Sequence, residues 1–221
     1  GVSIVYGMIR RMDAGIAKLM DTLDTLGLTD GTLVMFTSDN GPQFGGSGEW
    51  NTTRYNCGYN GCKGNVYEGG IRVPMVLRWP GGLERAEAID SMVHYVDWLP
   101  TLAAVAGAEV PVEWDVDGVN VLPALRGQTD KVCTRRFWQW NRYTPVVESN
   151  AAMRDGRWKL LRPGIGETLR LEDGEGERDR RSKYHPEEFE DIVREEIPHV
   201  PVTAPPAPQL FDLEADPGEQ N

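Results

Sequence analysis

Residues 32–42 read Thr32-Leu-Val-Met-Phe-Thr37-Ser-Asp-Asn-Gly-Pro42. Leu33, Val34, Met35 and Phe36 form a short unbroken apolar run. Asp30-Gly31 before it and Ser38-Asp39-Asn40-Gly41-Pro42 after it are turn chemistry. Such a run reads as a strand buried on both faces, the parallel-sheet kind. Asp39 and Asn40 then stand just past its C-terminal end, the edge at which open α/β sheets bind ligands. Upstream, Val5, Met8, Ile9, Met12, Ile16, Leu19, Met20, Leu23 and Leu26 recur at spacings of three and four. That stripe predicts an amphipathic helix over about Ile4 to Leu26, with Ser3 as a candidate cap and Gly27 as the stop. Helix, short turn and buried strand make half of a βαβ unit, and the strand expected ahead of the helix would lie upstream of Gly1.

The chain has 221 residues, 40% of them hydrophobic, which suits one large domain or a medium domain with a small one. No apolar run reaches the roughly 18 residues that a membrane-spanning helix needs. With 23 basic and 34 acidic side chains the formal charge is −11. That balance weighs against binding a nucleic-acid backbone, which takes clustered Lys and Arg. Three cysteines do not make a disulfide framework.

Residues 41–70 read as a long glycine-rich loop, and long loops in compact domains are often functional. Pro74 to Trp79 predicts a second strand and Ser91 to Val96 a third. Asp97 is placed to cap a helix running through Ala106, with Pro100 in its first turn and Gly107 ending it. Leu122 to Arg126 predicts one further helical turn. Past Asp130 the pattern changes. Arg136 to Asn141 alternates aromatic and polar residues, and Ala151 to Leu161 predicts a hairpin turning at Asp155-Gly156 through a type I′ turn. Residues 164–200 carry twelve acidic and six basic side chains, a net of −6, which reads as a solvated excursion. Pro201 to Pro208 is a proline-rich connector and Gln209 to Leu213 a last strand. The expected division is 1–130, an α/β region, and 131–221, a small antiparallel α+β subdomain with a divergent acidic segment at 164–208.

Two places carry chemistry. Asp39 offers a carboxylate and Asn40 an amide oxygen, hard donors suited to Ca²⁺ or Mg²⁺. Asp-Asn-Gly is equally good turn chemistry, so the residues alone leave both readings open. Lys63, in Gly61-Cys-Lys-Gly64, is a compact cation among glycines that let backbone approach an anion. On spacing alone it is a surface lysine, and it is not a phosphate-binding P-loop.

Taken in order, Thr37-Ser-Asp-Asn-Gly-Pro42, Gly61-Cys-Lys-Gly-Asn-Val-Tyr-Glu-Gly-Gly-Ile-Arg-Val-Pro74, Trp79-Pro-Gly81, Val96-Asp-Trp-Leu-Pro-Thr-Leu102 with Ala106-Gly107, and Leu210-Phe-Asp-Leu213 with Asp216-Pro-Gly-Glu219 resemble the C-terminal half of a type I sulfatase of the arylsulfatase A-like kind. The resemblance covers most of 4–163 and 209–221. It implies an alkaline-phosphatase-like fold: a mostly parallel sheet with flanking helices, plus the small antiparallel subdomain. It implies a sulfuric ester hydrolase acting on a small-molecule or carbohydrate sulfate ester. Asp39 and Asn40 match two ligands of one Ca²⁺, and Lys63 matches a lysine that contacts the sulfate, with a catalytic and substrate-binding role. The family's nucleophile is a formylglycine made from Cys or Ser in Cys/Ser-x-Pro-x-Arg, and it implies export to a periplasmic, extracellular or lysosomal compartment.

The motif for that nucleophile is absent from these 221 residues: neither Cys57, Cys62, Cys133 nor any serine has Pro two and Arg four positions on. His94, His185 and His199 do not match the family's histidines. The expectation is therefore a fragment that is inactive alone and poorly soluble, with an apolar surface near residues 4–36. Two other functions fit the residues: a phosphate or phosphonate monoester hydrolase of the same superfamily, or a non-catalytic binding domain. Asn40 stands against the first, where Asp-His-Gly is usual, because imidazole suits Zn²⁺ or Mn²⁺. Trp50, Arg54, Tyr55 and Tyr59 are candidates for the mouth of the site. Asn51-Thr52-Thr53 is a glycosylation sequon, meaningful only in a eukaryotic secretory host. Cys57 and Cys62 are close enough in sequence for a disulfide, or they stay free thiols.

Overall fold

The structure, a computed structural model, describes residues 2–43, 56–83, 88–130, 132–141, 146, 148–169, 174–189 and 204–220. Trp50, Arg54, Tyr55, the sequon at Asn51 and His199 lie outside the described residues. The chain forms two compact units that interleave along the sequence: 1–39, 45–54 and 73–136 in the first, and 40–44, 55–72 and 137–221 in the second.

The first unit opens with helix α1, Val2–Thr25. It closes where the sequence expected. Gly27 has φ +65, its N–H reaches Asp24 O at 3.1 Å, and Leu28 N–H reaches Leu23 O at 2.9 Å. That pair of bonds is a Schellman stop, which requires a left-handed residue that glycine adopts without strain. Ser3 is not a cap, because the helix already includes it. The apolar stripe of α1 is largely exposed: Ile4, Met8, Ile9, Met12, Leu19 and Leu26 all face solvent.

Strand β1, Val34–Thr37, pairs with β2, Met75–Arg78, after the short helix α2, Glu68–Ile71. The ladder runs antiparallel, with Val34 opposite Arg78 and Thr37 opposite Met75. Parallel pairing does not occur among the described residues. Nor is β1 buried on both faces: Met35 is exposed and its neighbours only partly covered. An apolar run specifies that a strand needs cover, and within these residues that cover is not supplied.

Residues 91–96 form no strand. Tyr95–Asp97 is a 3₁₀ turn leading into α3, Trp98–Val105. The reason lies in the side chains. His94 Nδ1 accepts from Val96 N–H, and Asp97 Oδ2 accepts from His94 N–H at 2.8 Å, a reciprocal box that curls the chain. Asp97 does not cap α3. It is fully buried, and its Oδ1 accepts from Val119 N–H at 2.9 Å and from the Arg136 guanidinium at 2.5 Å. Thr101 Oγ1 accepts from Val121 N–H, docking α4, Leu122–Leu125, on α3.

The second unit is built on an antiparallel sheet in the order β3, Arg135–Gln139; β4, Ala151–Asp155; β5, Trp158–Arg162; β6, Gln209–Asp212. The β4–β5 loop is Gly156-Arg157, one residue later than expected, since Asp155 pairs with Trp158. Only Gly156 of the two loop residues has positive φ, as in a type II′ rather than a type I′ turn. Val66, Ala152, Leu161, Phe211 and Leu213 form the core, flanked by Tyr67, Ile71, Trp138 and Trp140. The described acidic excursion holds α5, Gly166–Leu169, and α6, Glu175–Tyr184. α6 buries nothing, as a solvated helix should. Among the described residues no helix is long and apolar enough to cross a membrane.

Candidate functional site

Asp39 and Asn40 follow β1 by two and three positions; Asp39 is exposed and Asn40 partly buried. Both offer hard oxygen donors, the class of ligand that Ca²⁺ and Mg²⁺ take. The second unit draws the next two residues inward. Gly41 N–H bonds Gly70 O at 2.7 Å, and Lys63 N–H bonds Pro42 O at 3.1 Å. The segment that begins at Asn40 and the loop that carries Lys63 are thereby joined through backbone.

That junction explains the glycines. A Cβ on Gly41 would stand 1.8 Å from Gly69 O. One on Gly69 would stand 2.4 Å from both Asn60 O and Gly61 O, and one on Gly70 2.1 Å from Asn65 O. Each contact is far inside van der Waals range, so only glycine lets α2 pack on the 58–65 loop. The loop is bonded throughout its length. Gly69 N–H donates to Asn60 O at 2.7 Å, Asn56 Nδ2 to Gly61 O at 3.0 Å, and Asn65 N–H to Cys62 O at 3.2 Å. The buried Asn150 side chain donates to Gly64 O at 2.9 Å and Trp140 O at 2.8 Å. Lys63 itself is exposed at the tip of this fixed backbone.

Sequence reasoning missed the charged centre beneath the loop. Lys159 is 0% exposed, and its ammonium lies 3.0 Å from Glu68 Oε1 and 2.8 Å from Glu219 Oε1. Glu219 Oε2 accepts from Glu68 N–H at 2.5 Å, and Arg72 and Arg154 approach Glu68 at 3.7 and 3.9 Å. Burial raises the Glu219 carboxyl above the usual carboxylate range, against the pull of Lys159. A signal existed. Strand alternation in Trp158-Lys-Leu-Leu-Arg162 puts Lys159 on the same face as Leu161, where a lysine needs buried partners.

All three cysteines are free thiols, so Cys57 and Cys62 are not bonded. Burial raises the Cys62 thiol, opposed by its bond from Asn65. Tyr59 lies under the Arg72 guanidinium, 4.9 Å from its ring centroid. His185, Glu187 and Glu188 form a group of potential metal ligands, but all are exposed and Glu188 is paired with Arg181.

A family model described as Sulfatase matches residues 3–108, and one described as N-sulphoglucosamine sulphohydrolase, C-terminal, matches residues 61–195. The chain belongs to the sulfatase family. Similar proteins include mouse (Mus musculus) steryl-sulfatase, 39% identical over 130 residues, 57% of this chain and 21% of that protein. Arylsulfatase A from Bos taurus is 32% identical over 220 residues, 96% of this chain and 37% of that protein. The sulfatase chain thus spans about a fifth to two fifths of the curated relatives it matches. Among solved structures, Ps i-CgsB in complex with k-i-k-neocarrahexaose superposes with TM-score 0.66 at 26% identity, covering 97% of this chain and 37% of that one. The fold is that of the sulfatases, alkaline-phosphatase-like α/β with an appended antiparallel sheet.

Proposed function

We propose that these residues form part of the active site of a sulfuric ester hydrolase that cleaves a small-molecule or carbohydrate sulfate ester. Asp39 and Asn40 would hold one Ca²⁺, and Lys63 would contact the sulfate. The observation that carries this reading is the bond from Lys63 N–H to Pro42 O, which ties the lysine's backbone to the segment beginning at Asn40. A bound Ca²⁺ would supply charge neutralisation at the sulfate oxygens. The Lys63 ammonium would do the same from its own side, and its stabilisation grows as charge develops on the departing group. Its backbone is already fixed by the bond to Pro42 O, so only the side chain has to orient toward the sulfate. Hydrolysis consumes one water, breaks the ester's S–O bond and releases an alcohol and sulfate. The nucleophile is a formylglycine from a Cys/Ser-x-Pro-x-Arg motif, which these 221 residues do not contain. Export from the cytosol accords with that reading.

The test has two arms with a chromogenic aryl sulfate. The 221-residue chain alone, with Ca²⁺ supplied, should give no turnover; activity would mean that another nucleophile works here. A longer chain joining these residues to a formylglycine segment should turn over. Its Lys63→Ala variant should lose about 10²–10³ in kcat, the usual effect of removing an oxyanion contact. Near-normal turnover would return Lys63 to an ordinary surface lysine.

A further inference from the structure

The end of the C-terminal motif, Gly218-Glu219-Gln220, contacts the Lys63 loop at Gly58 and Asn60. Gly218 O accepts from Asn60 N–H at 3.0 Å, and Glu219 O accepts from Asn60 Nδ2 at 3.2 Å. Gln220 Nε2 donates to Gly58 O at 3.4 Å. A Cβ on Gly218 would stand 2.7 Å from Gly58 O, so the two segments approach at glycine distance. Glu219 holds the left-handed region at φ +54, unusual for a residue with a side chain. Its carboxylate, 2% exposed, bridges Glu68 N–H at the start of α2 and the buried Lys159. The next residue, Gly69, is the one whose N–H holds Asn60 O. The loop is therefore gripped from two sides by one residue: by the Glu219 main chain at Asn60, and by its side chain through Glu68.

We propose that Glu219 is a positioning residue for Lys63, clamping residues 58–69 so that the lysine's backbone is fixed before substrate arrives. This rests on the role of Lys63 given above. Glu219 touches no reacting atom and acts only through the loop. Its left-handed backbone and buried charge are features that a surface tail would not keep: the main chain bonds Asn60, and the carboxylate joins Glu68 N–H to Lys159 of β5, tying the loop to the sheet.

The experiment is a double-mutant cycle in an active chain that includes these residues, with hydrogen exchange read on the same proteins. Glu219→Ala should lower kcat about 10- to 100-fold, the scale of a misplaced catalytic group. In a Lys63→Ala background the same substitution should change kcat less than twofold, because its effect passes through Lys63. The Lys63, Asn65 and Gly69 amides should exchange faster, while the β4–β5 ladder amides stay protected. Additive losses in the cycle, or exchange that rises uniformly, would overturn the clamp. If Glu219→Ala does not fold, Glu219→Gln, which keeps an acceptor for Glu68 N–H, carries the same cycle. Failure of the lysine's role has a different signature. Lys63→Ala alone would leave turnover intact, and the exchange data would still decide whether Glu219 holds the loop.

Discussion

The C-terminal sheet and helix α1 are both amphipathic, yet they end differently. The sheet closes a core of Val66, Ala152, Leu161, Phe211 and Leu213 and also satisfies a buried lysine with two carboxylates. Helix α1 has a longer apolar stripe and leaves much of it in water: Met8, Ile9, Met12 and Leu19 are exposed, while Ile16, Met20 and Leu23 are half-buried. The difference is not propensity, for the helix is well stopped and its pattern is regular. Amphipathicity specifies that a face needs cover. Whether the cover comes from the same residues is a matter of topology. The sheet finds its partners across large sequence separations, Glu68 with Lys159 and Glu219, whereas α1 reaches across the sequence only through an exposed Asp24–Arg78 ion pair at 3.9 Å among the described residues.

The sharpest way to break this contrast is at Lys159. Lys159→Met should destabilise the second unit by about 3–5 kcal/mol, since buried Glu219 loses its cation and Glu68 its nearest one. A urea titration at sub-micromolar protein, followed by fluorescence of Trp138 and Trp140, measures it. The deficit should shrink as pH falls. Burial already raises the Glu219 carboxyl, and without Lys159 the folded state holds its proton more tightly still. The folded state then binds more protons than the unfolded one above pH 4.5, so acid favours folding of the variant. A loss below about 1 kcal/mol would show that water reaches the cluster.

A matched pair of leucines sharpens the comparison further. Leu161 is 0% exposed and Leu19 is 53% exposed. Leu161→Ala should cost about 2–5 kcal/mol by the same titration, as cavity-forming core substitutions do. Leu19→Ala should stay within about 0.5 kcal/mol in the 221-residue chain, because no buried contact is lost. Equal costs would mean that α1 packs on something after all. A large cost for Leu19→Ala appearing only in a longer chain would identify what covers the stripe.

Much of this was legible in the sequence. The helix with its Gly27 stop, the strand at 34–37, the hairpin and the final strand all follow from spacing and turn residues. Asp39, Asn40 and Lys63 stand out only through ordered motifs, since each alone is ordinary turn or surface chemistry. What stayed hidden was long-range. A boundary near residue 130 is natural on a linear reading, but the 55–72 loop packs with the 137–221 sheet because glycines at 69, 70 and 218 allow backbone approaches that no local pattern announces. The 91–96 segment misled for a similar reason. Its apolar content suits a strand, and Asp97 looks like a helix cap until Arg136 and Val119 N–H claim its carboxylate.

That claim on Asp97 gives the smallest effect, and a sign that can be checked. His94 is half-buried, and burial holds its imidazole below the ordinary 6.5. The Asp97 carboxylate opposes that shift and the Arg136 guanidinium adds to it. His94 Nδ1 accepts from Val96 N–H, so a proton placed there would also break the turn's own bond. Below pH 6.5 the unfolded chain takes up a proton that the folded chain refuses. Stability must then fall as pH drops through that value toward the folded one, and must recover as pH rises. His94→Asn keeps a side-chain acceptor for the turn but cannot titrate. The expected outcome is a urea midpoint that declines less for His94→Asn than for the parent between about pH 7 and pH 5. Parallel curves for the two proteins would show that the imidazole is as free to protonate in the folded unit as in the unfolded chain. The first unit would then be loosely closed even at its own buried ion pair.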